Sequence, residues 1–82
     1  MAGLTETASR NLKAELARRD KTQEDLAKAW GCTLKTVGRR LDGSIPMTIK
    51  EIEEAAPVLN MNPTQLLMLL VQPIDSITQF KA

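Results

Sequence analysis

The chain has 82 residues, with eleven Lys or Arg against ten Asp or Glu, one Cys, no His, no Tyr, and a single Trp and Phe. That length is expected to carry one small domain with a marginal core and to leave no room for a separate ligand-sensing or self-cleaving unit. A lone Cys32 excludes an internal disulfide, the lack of His leaves no zinc-ligand set, and the longest apolar run, Leu66–Val71, falls far short of the roughly 20 residues a membrane span needs.

Ala, Leu, Lys, Arg and Glu dominate while aromatics are scarce, so the composition favours an all-α fold. The first helix is expected to start near Thr5–Thr7, with one of those threonines as its cap, and to run to about Arg19. Ala8, Leu12 and Leu16 form its apolar stripe. The second reads from Thr22, an N-cap followed by acids, to Trp30. Leu26, Ala27 and Trp30 form its buried face, and Gly31 stops it in the left-handed conformation. The third runs from about Leu34 to Leu41 behind Thr33 as cap, with Val37 and Leu41 inward. Asp42-Gly43-Ser44 is a turn, and Pro46 keeps the chain extended. Thr48 to Glu51 fits a capping box at the head of a fourth helix, whose stripe is Ile49, Ile52, Ala56 and Leu59 and which Pro57 should kink or shorten. Asn62-Pro63 opens a fifth helix that continues through Leu66–Val71 and ends before Pro73. Residues 1–72 therefore read as one domain and 73–82 as a tail, either an arm, a short helix or a pairing strand.

Charge is unevenly distributed. Nine basic and four acidic residues lie between Arg10 and Arg40, but two basic and five acidic from Leu41 onward. A near-neutral chain can thus present a positive face. The N-terminus lacks an apolar h-region, being interrupted by Thr5, Glu6 and Arg10, so no signal peptide is expected and the expected location is cytoplasmic.

Gln23 to Gly43 reads as one unit: two short helices, a glycine at the turn, small Ala27 where they cross, and Val37 facing inward. The string Gln23-Glu-Asp-Leu-Ala-Lys-Ala-Trp-Gly-Cys-Thr-Leu-Lys-Thr-Val-Gly-Arg-Arg-Leu-Asp-Gly43 resembles the XRE/Cro-type helix-turn-helix family of phage and bacterial repressors. The Ile52–Leu59 and Asn62–Leu66 segments resemble that family's fourth and fifth helices, so the likeness spans about Leu12 to Leu70. The resemblance implies a compact five-helix, repressor-like DNA-binding domain with the helix-turn-helix at helices 2 and 3. Its partner would be double-stranded operator DNA, bound as a homodimer, with no cofactor, metal or small-molecule ligand. Leu34, Lys35, Thr36 and Arg39 would face the bases, Lys or Arg donating to guanine and Leu34 touching a thymine methyl. Gln23, Lys28, Thr33 and Arg40 would contact phosphate.

Three features depart from the family pattern. Gly38 lies inside helix 3, either to admit a close backbone or at the expense of helix stiffness. Leu41 and Leu16 stand where the family often has a glutamate paired with a helix-1 arginine, and a Leu16–Leu41 contact replaces that pair. The loop after Gly43 is poor in Lys and Arg. In Leu66–Val71, six consecutive apolar residues cover every side of a helix, so Leu67, Met68, Leu69 and Val71 are the candidates for a dimer interface. Trp30 is read as packing, not as a base-stacking platform. An enzyme is disfavoured, since no acid–base pair or activated nucleophile is evident and Cys32 has no histidine beside it. Two alternatives share the fold: an antitoxin-type regulator that also binds a protein, and a protein-interaction module that has lost DNA binding.

Overall fold

The computed structural model describes residues 3–72. They form α1 (Leu4–Arg18), α2 (Gln23–Trp30), α3 (Leu34–Leu41), α4 (Ile49–Val58) and α5 (Pro63–Leu70), with no strand among the described residues. The fold is compact and all-α, as the composition implied. The segment 73–82, expected as a tail, lies outside the described residues. No helix of the described residues is long and apolar enough to cross a membrane.

α1 packs on α3 and α5, α2 on α3 and α4, and α4 on α5. One cluster fills the space between them, with Leu12 and Leu16 from α1, Leu26 from α2, Val37 and Leu41 from α3, and Leu66 and Leu70 from α5. Leu16 and Leu41 are both buried in it, so aliphatic packing stands where an ion pair was the alternative.

The sequence misplaced two details. α1 starts at Leu4, with Gly3 as an N-cap that makes no side-chain hydrogen bond; Thr5 and Thr7 lie inside the helix. The extended backbone at Gly3 lets its carbonyl accept from Thr7 N, so the helix begins before either threonine can cap it. Ile49, assigned to the buried stripe of α4, is 64% exposed. It is the first residue of that helix, and the inward stripe is instead Ile52, Ala55, Ala56 and Leu59. Pro57 falls in the last turn, and α4 ends one residue later. There a missing N–H shortens the helix instead of breaking it.

α1 also ties down the far ends of the later helices. Asn11 Nδ2 donates to the carbonyls of Leu69, Leu70 and Gln72 at 3.3, 2.9 and 2.8 Å. Arg19 Nη1 donates to Leu59 O at 2.9 Å. Carbonyls at or just past a helix C-terminus lack the i+4 N–H of a continuing helix, and Asn11 of α1 and its C-cap Arg19 supply donors there. Arg19 is steadied by Glu15, which accepts from Arg19 Nε at 2.7 Å and from Arg18 Nη2 at 2.6 Å.

Glu15 is nearly buried, yet its carboxyl lies below its ordinary value of 4.5. Burial pushes it up, but hydrogen bonds from Arg19 and Arg18, reinforced by their charges, outweigh that. The folded carboxyl thus binds its proton less tightly than the unfolded one. Its contribution to stability is complete above the unfolded value and is lost as pH falls through the folded one. Glu15→Gln should lower stability by about 1 kcal/mol near neutral pH, at the low end because solvent screens both guanidinium groups. Urea unfolding of parent and variant should show the gap narrowing below about pH 4.5; a gap constant into strong acid would mean that the carboxylate's charge contributes nothing.

Candidate nucleic-acid interface

The α2–α3 unit is built by its caps. Thr22 Oγ1 accepts from Asp25 N at 3.2 Å while Asp25 Oδ2 accepts from Thr22 N at 2.9 Å, a reciprocal capping box. The hydrogen bonds from the Thr22 N–H and hydroxyl hold the Asp25 carboxyl below its usual range. α2 ends at Gly31, whose φ of 66° is left-handed, and Cys32 N donates back to Ala27 O at 3.1 Å. Glycine takes that backbone without strain, which turns the chain within three residues. Thr33 then caps α3 by accepting from Thr36 N at 3.3 Å.

α3 is strongly two-sided. Val37 and Leu41 are buried against the core, and Leu34, Lys35 and Arg39 are exposed. Thr36 is half-buried, its hydroxyl 3.2 Å from that of Thr33. Of the residues expected to reach bases, three thus stand outward, and the fourth is engaged with the cap. Gln23 and Lys28 on α2, and Thr33 before α3, are exposed. Gln23 is the first residue of α2, where unpaired N–H groups and the helix dipole favour an anion.

Arg40 is placed differently from the expectation that it contacts phosphate. Its guanidinium turns inward, with Nε 2.8 Å from Glu51 Oε2 and Nη1 donating to Pro46 O at 3.0 Å. Two acceptors within the protein already hold this charge, so Arg40 does not belong with the outward cations. Sequence spacing could not reveal this: the Glu51 cap was legible, but Arg40 is eleven positions away with no periodic relation to it.

Two further residues were missed. Lys13 of α1 is exposed and close enough in charge to Asp42 to act on it. Asp42 is held below its usual range by the Ser44 hydroxyl and N–H, then by Arg39 and Lys13. Lys13 therefore stands near the same end of α3 as Arg39. Ser9, one turn earlier, is buried and donates to Arg40 O at 2.6 Å, which fastens that end of α3 to α1. A helical wheel of α1 shows neither function, because both depend on where α3 lies.

The apolar surplus of α5 is partly exposed. Leu66 and Leu70 are buried, Leu67 and Leu69 are partly packed on the core, and Met68 and Val71 are 64% and 40% exposed. Leu67 lines a shallow cleft with Ile49, Ile52, Glu53, Pro63 and Thr64. Of the four interface candidates, Met68 and Val71 face solvent; Ile49 of α4 is likewise exposed.

Comparison of the chain with family models, curated proteins and solved structures finds no match.

A side chain added at Gly38 would meet nothing within 4 Å, so no close backbone approach within the protein requires this glycine. Its backbone is not in the positive-φ region. Gly38→Ala should therefore raise stability by roughly 0.5–1 kcal/mol. Thermal unfolding measures this directly; a destabilised variant would show that the space beside Gly38 is not free.

Proposed function

We propose that this protein is a sequence-specific, double-stranded DNA-binding transcription regulator of the Cro type, in which α2 and α3 form a helix-turn-helix and α3 enters the major groove. The observation that carries this reading is the division of α3: Val37 and Leu41 anchor it to the core, while Leu34, Lys35 and Arg39 stand free on its outer side. A helix of this width fits the major groove, and Lys or Arg there can donate to guanine O6 and N7. Gln23, Lys28 and Thr33 would contact the backbone, with Lys13 as an additional cation at the far end of α3. Regulation would follow from occlusion, with the bound protein excluding polymerase or a competing regulator from the operator.

Two copies would bind together. One helix-turn-helix covers a few base pairs, so specific binding recruits a second copy to a half-site about one DNA turn away. The exposed Met68 and Val71 supply an apolar contact for it, and a weak interface suffices because the DNA holds both copies in place.

Selection of binding sites from a random duplex pool should recover a two-fold symmetric sequence. On that site Lys35→Ala or Arg39→Ala should lose roughly 1–3 kcal/mol, and less on random duplex, whereas Lys28→Ala should weaken both alike. Full sequence preference in the Lys35 and Arg39 variants would remove α3 from the groove. Met68→Glu and Val71→Glu should keep the helical circular dichroism of the parent yet lose cooperative binding to the two half-sites. If both variants bind as the parent does, the second copy contacts some other surface.

A further inference from the structure

Arg40, in the last turn of α3, and Glu51, in the first turn of α4, meet across the two helices. Three oxygens of Glu51 are engaged, each toward a different part of the chain. Oε1 accepts from Thr48 N at 2.9 Å, Oε2 lies 2.8 Å from Arg40 Nε, and the backbone carbonyl accepts from Trp30 Nε1 at 2.8 Å. Arg40 is held as firmly, with Nη1 on Pro46 O and its own carbonyl accepting from Ser9. The two side chains are only 19% and 14% exposed. Lys35 and Arg39, the other cations of α3, have no acid within ion-pair distance among the described residues.

The contact between Arg40 and Glu51 is electrostatic more than directional. Arg40 Nε is buried, and its N–H has no well-aligned acceptor although the carboxylate is 2.8 Å away. A neutral group at position 51 would therefore not hold the guanidinium as the carboxylate does. With the carboxylate present, moving Arg40 to a phosphate would strand a largely covered negative charge, which is strongly unfavourable.

We propose that Glu51 withholds Arg40 from DNA phosphates and thereby limits the sequence-independent part of DNA binding. The inference rests on the DNA-binding reading above. Non-specific affinity comes almost wholly from phosphate neutralisation, and each free cation strengthens binding to every sequence alike. Pairing Arg40 inside the protein removes one such cation from the rim of α3 and leaves the base-facing Lys35 and Arg39 in place. Glu51 is thus a positioning residue: it touches no DNA, acts through Arg40, and joins α3 to α4 and α2.

The test compares parent, Glu51→Gln, Arg40→Gln and the double variant on the selected site and on a random duplex, across a salt series. Glutamine at position 51 retains an oxygen for the Thr48 cap. Glu51→Gln should bind random duplex several-fold more tightly at low salt, with the log–log salt slope steeper by about 0.9, the value of one added phosphate contact. The selected site should gain by a similar factor, so the specificity ratio should hold. Arg40→Gln should keep the parental slope, and the double variant should lose the steepening. An unchanged slope in folded Glu51→Gln, or equal weakening on both duplexes, would leave Glu51 a purely structural residue and overturn the proposal. So would a slope flattened by about 0.9 in Arg40→Gln, since Arg40 would then already be on a phosphate. If Glu51→Gln does not fold, Glu51→Asp takes its place. The shorter carboxylate can still accept from Thr48 N, as Asp25 does from Thr22 N, but falls short of Arg40. It should steepen the slope in the same way, and an unchanged slope again overturns the proposal. A parent that binds no duplex overturns the DNA-binding reading and this inference with it, whereas a specific parent with an unchanged Glu51→Gln slope overturns this inference alone.

Discussion

Short helices leave much of their backbone unpaired, and this constraint governs the rest of the structure. α2, α3 and α5 have eight residues each and α4 has ten. An isolated helix of that length does not persist in water, since four N–H groups at one end and four carbonyls at the other lack intrahelical partners. Here every helix after α1 starts on a side-chain cap: Thr22, Thr33, Thr48 and Asn62. Each cap sets where its helix begins, and so which residues face the core. In α3 the Thr33 cap places Val37 and Leu41 inward and Lys35 and Arg39 outward.

The opposite ends are handled by tertiary contacts and by unusual backbone. α1 and α4 finish in left-handed residues that are not glycine, Asp20 at φ 60° and Asn60 at φ 57°. Asp and Asn tolerate that region better than other side chains. In both places the next N–H reaches back, from Lys21 to Leu16 O and from Met61 to Ala56 O. α1 then supplies Asn11 to the end of α5, and its C-cap Arg19 reaches the end of α4. The longest helix is therefore both a wall of the core and a set of caps for its neighbours, which suits a chain whose core is too small to hold five helices by apolar burial alone.

The polar residues that enter the interior do so as connectors. Ser9, Glu15 and the Arg40–Glu51 pair each bind a group on another segment or steady a residue that does. A covered ion pair contributes little net stability over packed aliphatics, but it restricts the arrangements that the helices can take. The two leucines at positions 16 and 41 are the complementary solution, filling their part of the core without any such restriction. The result is an α3 fixed along its inner side by apolar packing and at its C-terminal end by Ser9, Pro46 and Glu51, with its outer side left bare.

Among the described residues, the helix count, the order of the helices and most of their starts were legible in the sequence, because caps, turn glycines and apolar spacing act over a few residues. Gly31, Thr33, Thr48 and Asn62 each work through neighbours within five positions. The outward placement of Leu34, Lys35 and Arg39 followed from the same local periodicity. What only the tertiary structure decided involves distant segments. It turned Arg40 inward to Glu51, brought the Lys13 charge to bear on Asp42, buried Ser9 against α3, left Ile49 outside and divided Leu66–Val71 into two buried and two exposed residues with two between. Helical periodicity tells which residues share a side but not what lies opposite, and a long charged side chain takes its direction from the partner that the fold brings within reach.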